Sequence, residues 1–279
     1  MKKQTGFFLT VFGSAAVLFM RLYAYSNWID PSAHIYTTDS PWRFLPGLTV
    51  IIAAVLALVC FAVPGDEKPL CYPGGKQIVS GIGMLLLTCG IGLSGADILL
   101  HYELFRISFF SPASILFLTF FAAALIGTVG MAVILFAGKK NRCPVFFTLA
   151  PLPFLFIRFL CQYIGSFRTE EIAELPWKIL MLASECIFFL FFARRMAGFK
   201  DRRTVWSDSF FAALTVLLGT ACFGTHLCLC FTAPDLIPSG RWPSAADGAV
   251  WITALIELGS LTFGRPESDH PAEEPDSMV

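Results

Sequence analysis

The chain has 279 residues, of which 56% are hydrophobic and only 14% are charged. An average soluble domain has about 25% charged residues, so this composition excludes an ordinary soluble protein and indicates a membrane protein. The formal net charge is zero, which gives no basic surface for a nucleic-acid partner. Most of the nine cysteines lie inside apolar runs, so a disulfide framework is not indicated.

Eight apolar runs approach the length of about 20 residues that a membrane-spanning helix needs. The sequence therefore predicts an all-α, polytopic membrane protein with one transmembrane bundle over residues 1–263. Seven spans is the alternative, because the second run is short and the last is weakly apolar. The predicted spans cover residues 6–25, 47–63, 78–100, 112–138, 144–166, 175–193, 208–231 and 246–263.

The two ends of the chain have a different character from the spans. Residues 1–26 also fit a cleaved signal peptide, but Arg21, Tyr23 and Tyr25 favour a retained helix. Residues 264–279 are acidic and rich in proline, and we expect a disordered cytoplasmic tail.

The distribution of lysine and arginine predicts the orientation. If the N-terminus is cytoplasmic, thirteen basic residues lie in the inner connections and four in the outer ones. Such an excess is typical of cytoplasmic loops, so we expect both termini inside the cell. Because the chain is compact and shows no sorting motif, we expect the bacterial cytoplasmic membrane. The basic loop 194–203 is a candidate contact for a cytoplasmic or membrane partner subunit, although its charge also serves to set the topology.

The fifth run is interrupted near its centre by Pro151 and Pro153 and carries a full charge at Arg158. Each proline removes a backbone donor, and the groups released in hydrocarbon need another partner. An arginine inside a span costs about 2.5–3.5 kcal/mol on insertion scales, so it is expected to face protein or water. This run is therefore the first place to look for a site.

Seven ionisable residues fall inside the predicted spans, all of them in the outer half or at the centre. This distribution predicts a polar cavity that opens to the outside. The residues are Arg21, Asp97, Arg158, Lys178, Glu185, His226 and Glu257.

The spans on either side of a short loop should be antiparallel neighbours, which predicts an ion pair between Arg158 and Glu185. The leading hypothesis is a transporter, or the binding subunit of one, for a small anionic solute. Its predicted contacts are Arg158 and Lys178, with Glu185 as the partner that orients them, and Arg21 and Asp97 are further candidates. Glu257, which has no evident partner, is the candidate proton carrier. The alternative is a non-transporting sensor or scaffold whose buried charges are structural.

Two motifs leave a third class open. Cys222, His226 and Cys230 follow one helical stripe, as soft metal ligands would, although a buried histidine among cysteines is the commoner explanation. Gly92–Gly95 resembles the Gly-x-Ser-Gly segment of rhomboid intramembrane proteases, with His226 as the base for Ser94. The serine lies at the wrong end of its span for that family, and its separation from His226 is too long. No cofactor is predicted, and enzymatic activity is not favoured.

Small residues spaced by four predict close contacts between helices. The predicted pairs are Gly90/Ser94, Gly92/Ala96, Ala123/Gly127 and Thr220/Gly224.

Overall fold

The computed structural model describes residues 2–30, 44–62, 78–101, 112–137, 145–166, 175–196, 202–234 and 244–263. Nearly all of these residues are helical and none forms a β-strand, so the predicted all-α class is confirmed. The expected tail 264–279 and the centre of the basic loop 194–203 lie outside them. The helices are α1 (Lys2–Asn27), α2 (Leu45–Ala62), α3 (Ile78–His101), α4 (Pro112–Ala137), α5 (Val145–Leu149), α6 (Pro151–Ser166), α7 (Leu175–Met196), α8 (Arg202–Gly219), α9 (Thr225–Thr232) and α10 (Ala245–Phe263).

Six of the described helical segments are long and apolar enough to cross a membrane. They are Gln4–Asn27, Ile78–Leu100, Ser114–Ala137, Leu175–Met196, Trp206–Thr232 and Ala245–Phe263. Leu45–Phe61 and Phe146–Cys161 are apolar but shorter, and they correspond to the second and fifth predicted spans. The membrane character of the protein is therefore confirmed, whereas the number of eight spans is not established by helix length.

Neighbouring helices reverse direction along the chain. Gly6 packs against Phe61 and Gly13 against Ala53, so α1 and α2 are antiparallel. Contacts of the same kind make α3 antiparallel to α4 and α10, and α7 antiparallel to α8. We call the end of the bundle that holds Gly6 and Phe61 the lower end, and the opposite end the upper end.

The interruption predicted at Pro151 is present and separates α5 from α6. Pro151 is the first residue of α6, where the missing N–H has no helical acceptor in any case. The backbone N–H of Ala150 still donates to the carbonyl of Phe146 at 2.9 Å, so the two helices remain nearly continuous. The break lies closer to the start of this segment than to its centre, because only α5, with 5 residues, precedes it.

A π-helical turn, Thr220–Gly224, joins α8 to α9. Together these elements form the most buried of the six long apolar segments. The wider turn shifts the hydrogen-bonding pattern of the backbone, a feature that often accompanies functional sites.

The small residues pack closely against other helices at two of the four predicted places and meet neighbouring side chains at a third. Gly90 packs against Ala249 of α10, and Gly127 packs against Ala150 between α5 and α6. Gly92 has only Leu125 at ordinary contact distance, so the predicted Gly92/Ala96 contact is wrong. At Gly224 the nearest atoms belong to Thr220 of its own turn, with Leu18 of α1 at 4.0 Å, and Thr220 accepts a hydrogen bond from Trp251 of α10.

We expect Gly90→Ala to destabilise the bundle by about 1–3 kcal/mol, the usual cost of overpacking. A Cβ at this position lies 2.5 Å from the Cβ of Ala249 and 2.8 Å from the carbonyl oxygen of Ala245. Gly47→Ala is the matched control, because no atom lies within 4 Å of its Cβ position. Thermal unfolding in detergent measures both variants, and equal melting of Gly90→Ala and the wild type would contradict the close approach of α3 and α10.

Candidate functional site

Arg158 lies in α6 and is held by the first turn of α10. Its Nη2 donates to Asp247 Oδ1 and, at 2.7 Å, to Ser244 Oγ. The other oxygen of Asp247 accepts the backbone N–H of Ser244 at 2.6 Å. An aspartate in the first turn also interacts favourably with the positive end of the helix dipole. Asp247 is therefore held on two sides, by a guanidinium and by a helix N-terminus.

Glu185 of α7 is the second carboxylate beside Arg158. Its side chain is buried, with the residue only 1% exposed, and neither carboxylate oxygen accepts a hydrogen bond from the described residues. Arg158 and Asp247 both lie close enough to Glu185 to interact with it electrostatically. We call Arg158, Glu185, Ser244 and Asp247 the upper cluster; it holds one cation and two carboxylates.

The predicted ion pair of Arg158 with Glu185 is thus wrong, because the carboxylate that pairs with Arg158 is Asp247. The two side chains are near one another, but the hydrogen bonds of Arg158 go to Asp247 and Ser244. The seven ionisable residues expected inside the spans do not include Asp247, because it stands at the very start of the last apolar run. In the structure it lies in the first turn of α10 and is buried.

A second group of charges, the lower cluster, joins three helices. Arg195, near the end of α7, forms ion pairs with Asp208 of α8 and Glu257 of α10. All three residues are buried, and both acids are 0% exposed. The prediction that Glu257 has no partner is therefore wrong, as is the prediction that the buried charges avoid this end of the bundle. Arg195 falls within the basic loop predicted at 194–203, and Asp208 stands at the very start of an apolar run, where the sequence does not indicate burial.

Both clusters lie along the same pair of helices. Glu185 and Arg195 are ten residues apart on α7, and Asp247 and Glu257 are ten residues apart on α10. These equal offsets show that α7 and α10 run in the same direction, and a helix rises about 15 Å over ten residues. Arg158 and Glu185 are therefore brought together by the fold, whereas Glu257 belongs to a separate cluster.

Arg21 occupies a third environment beside the π-helical turn. Its Nε donates to the carbonyl oxygen of Ala221 at 3.3 Å. Its guanidinium lies 4.8 Å from the ring centroid of Trp177 and 5.3 Å from that of Tyr25. Aromatic faces attract a cation at this range, so the rings help to hold a charge that is 0% exposed.

The other predicted site residues lie at the upper ends of their helices. Lys178 is buried in the first turn of α7, next to Trp177. Asp97 is exposed near the end of α3.

The motifs for a metal or a nucleophile gain no support in the described part of the chain. No three His, Cys, Asp or Glu side chains there form a group that could hold a metal ion. The ring nitrogen Nδ1 of His226 lies 2.8 Å from the carbonyl oxygen of Cys222, within its own helix. Ser94 is buried in α3, and no hydrogen bond joins it to His226 within the described ranges.

Comparison with protein-family models, curated proteins and solved structures gives no match for this chain. The two clusters are therefore the features of this chain that bear on its function.

We expect Arg195→Met to destabilise the protein by about 3–5 kcal/mol, because it leaves two buried carboxylates without their cation. The triple variant Arg195→Met/Asp208→Leu/Glu257→Met should recover most of that loss, since apolar groups of similar volume often replace a buried ion network without cost. Arg194→Met is the control at the exposed neighbouring position, with an expected change within about 0.5 kcal/mol.

Thermal unfolding in detergent provides the measurement. Equal stabilities of Arg195→Met and Arg194→Met would contradict the lower cluster as described.

Proposed function

We propose that the protein is a membrane transporter, or the membrane-embedded binding subunit of one, for a small solute that enters from outside the cell. The observation that carries the proposal is Glu185, a buried carboxylate whose oxygens accept no hydrogen bond from the described residues. Unsatisfied polar groups in a membrane interior are costly, and where they persist they mark solute or ion pathways.

Eight spans are the topology that we propose for this transporter. The shorter helix α2 has 18 residues, which is about 27 Å and close to the hydrocarbon thickness of about 30 Å. Helices α5 and α6 have 5 and 16 residues and are nearly continuous, so together they also reach across. The antiparallel packing of α1 with α2 supports α2 as a full span.

The lower end is the cytoplasmic end in this proposal, because the excess of lysine and arginine lies in the connections at that end. Both termini are then inside, and the upper cluster lies towards the outside. The proposal that this membrane is the bacterial cytoplasmic membrane rests on the sequence alone.

The upper cluster favours a different solute from the anionic one predicted from Arg158 and Lys178. Asp247 and Ser244 accept hydrogen bonds only from Nη2 of Arg158, and its Nη1 is buried without an acceptor among the described residues. Glu185 offers a negative charge with unused acceptor atoms beside it. A small polar solute that carries an acceptor for Arg158 and a hydrogen-bond donor or positive charge for Glu185 therefore fits best.

A non-transporting scaffold or sensor subunit is the second candidate, and the lower cluster is the observation that favours it. Arg195 joins α7, α8 and α10 through ion pairs with two acids. Such a network fixes the register of three helices without any need for a solute. On this alternative the unused acceptors of Glu185 have no role.

Water access to Glu185 separates the two candidates. In a variant without native cysteines, we expect Leu182→Cys to react with a small membrane-impermeant thiol reagent added to intact cells. Leu182 lies three residues before Glu185 and is 5% exposed in this conformation. Labelling therefore requires the protein to open from the outside, as a transporter must.

Two further variants calibrate that experiment. Asn27→Cys lies at the exposed upper end of α1 and should label rapidly. Leu258→Cys, which is fully buried beside Glu257, should stay unlabelled. If Asn27→Cys labels while Leu182→Cys does not, the scaffold candidate replaces transport.

A further inference from the structure

The upper cluster contains one unused donor and one unused carboxylate. Nη1 of Arg158 and both carboxylate oxygens of Glu185 are buried, and none of these atoms has a hydrogen-bond partner in the described part of the chain. Arg158 is only 7% exposed and Glu185 only 1%. Buried polar groups without partners are costly, so a bound molecule that satisfies both groups recovers that free energy.

The donor and the carboxylate come from two helices that follow one another in the chain. Arg158 lies in α6 and Glu185 in α7, and the two side chains interact electrostatically. Nη2 of the same guanidinium is already used, since it donates to Asp247 and Ser244. One small molecule is therefore expected to contact Nη1 of Arg158 and the carboxylate of Glu185 together.

The charges of the upper cluster indicate what this molecule carries. Asp247 forms an ion pair with Arg158, and both residues act electrostatically on Glu185. Because Asp247 balances Arg158, the carboxylate of Glu185 has no cation of its own among the described residues. An uncompensated charge inside an apolar bundle is unfavourable. A positive charge on the bound molecule removes that cost, whereas a neutral molecule leaves it in place.

The acceptor that the molecule offers to Nη1 should be uncharged. If it were a carboxylate, it would join Asp247 and Glu185, and three carboxylates would then share one guanidinium. Like charges repel strongly at low dielectric, so this arrangement is unfavourable. A hydroxyl or an amide oxygen accepts the hydrogen bond without such repulsion. An inorganic cation would balance Glu185 but would offer no acceptor to Arg158.

We propose that the solute of the upper cluster is a small organic monocation, a protonated amine that also carries an uncharged hydrogen-bond acceptor. Its ammonium group binds Glu185, and its hydroxyl or amide oxygen accepts a hydrogen bond from Nη1 of Arg158. Asp247 and Ser244 hold the guanidinium in place for this contact. The proposal rests on the proposed transport function, because it names the class of solute that the transporter takes.

The test measures the binding of radiolabelled ethanolamine and of radiolabelled glycinamide to the purified full-length protein. Equilibrium dialysis in detergent at neutral pH gives the amount bound. Ethanolamine combines an ammonium with a hydroxyl, and glycinamide combines an ammonium with an amide oxygen. We expect both probes to bind at one site per chain and to compete with each other.

Three unlabelled competitors of the same size each lack one of the required features. Ethylamine has no acceptor, ethylene glycol has no charge, and the acceptor of glycine is anionic. A single contact with a charged group corresponds to about tenfold or more in affinity, so each competitor should need about that much higher a concentration than ethanolamine to displace the label. The ethylamine experiment tests the contact with Arg158 without any change to that residue, whose Nη2 also holds Asp247.

Glu185→Gln tests the other contact, because the amide retains the shape of the side chain without its charge. We expect this variant to bind ethanolamine about tenfold or more weakly than the wild type. Asp30→Asn is the matched control and should bind like the wild type. It removes a carboxylate beyond the end of α1, and Asp30 is not among the residues that act on Glu185.

Thermal unfolding of each variant checks that it is folded. If Glu185→Gln does not fold, the competitors on the wild-type protein decide. The proposal is overturned if neither probe binds to the folded wild type, or if ethylamine, ethylene glycol or glycine competes as well as ethanolamine. A folded Glu185→Gln variant that binds ethanolamine like the wild type also overturns it.

The labelling of Leu182→Cys separates this proposal from the proposed function. If Leu182→Cys is labelled but neither probe binds, the solute class is wrong and the transporter stands. If both probes bind as expected while Leu182→Cys stays unlabelled, the ligand of the upper cluster is confirmed and transport is refuted.

Discussion

The rest of the structure depends on the need to neutralise two guanidinium groups inside an apolar bundle. Arg158 reaches Asp247 and joins α6 to α10, while Arg195 reaches Asp208 and Glu257 and joins α7 to α8 and α10. Loss of one partner leaves the other charge buried and uncompensated, at a cost of several kcal/mol. Apolar packing alone tolerates sliding between helices, whereas these contacts fix which turn of one helix faces which turn of another.

Helix α10 is the element that the two arginines share. It contributes an acid at its first turn and a second acid ten residues later. On its other side, close packing with Gly90 of α3 holds it at short range. Its axial position is therefore set twice by charge and once by the small size of a facing residue.

The same charges set the polar character of the interior. If their only role were to hold helices together, one carboxylate for each arginine would suffice. In the upper cluster the second carboxylate, Glu185, is buried and accepts no hydrogen bond from the described residues, which is costly in a medium of low dielectric. Arg21 is handled differently, by a backbone carbonyl of the π-helical turn and by aromatic faces.

The sequence by itself determined the membrane class, the all-helical fold, the interruption at Pro151 and the close approach at Gly90, because these follow from apolar length, a missing backbone donor and residue size. It also pointed to Arg158, Glu185 and Glu257 as buried charges. Only the tertiary structure decided their partners. Arg158 pairs with Asp247, and Glu257 pairs with Arg195, which also pairs with Asp208. Helical periodicity shows which residues share a face of one helix, but the rotation and order of the helices decide which faces meet. A charge near the end of an apolar run has the same local sequence whether it is hydrated or buried, so Arg195, Asp208 and Asp247 could be placed only by the packing of the helices around them.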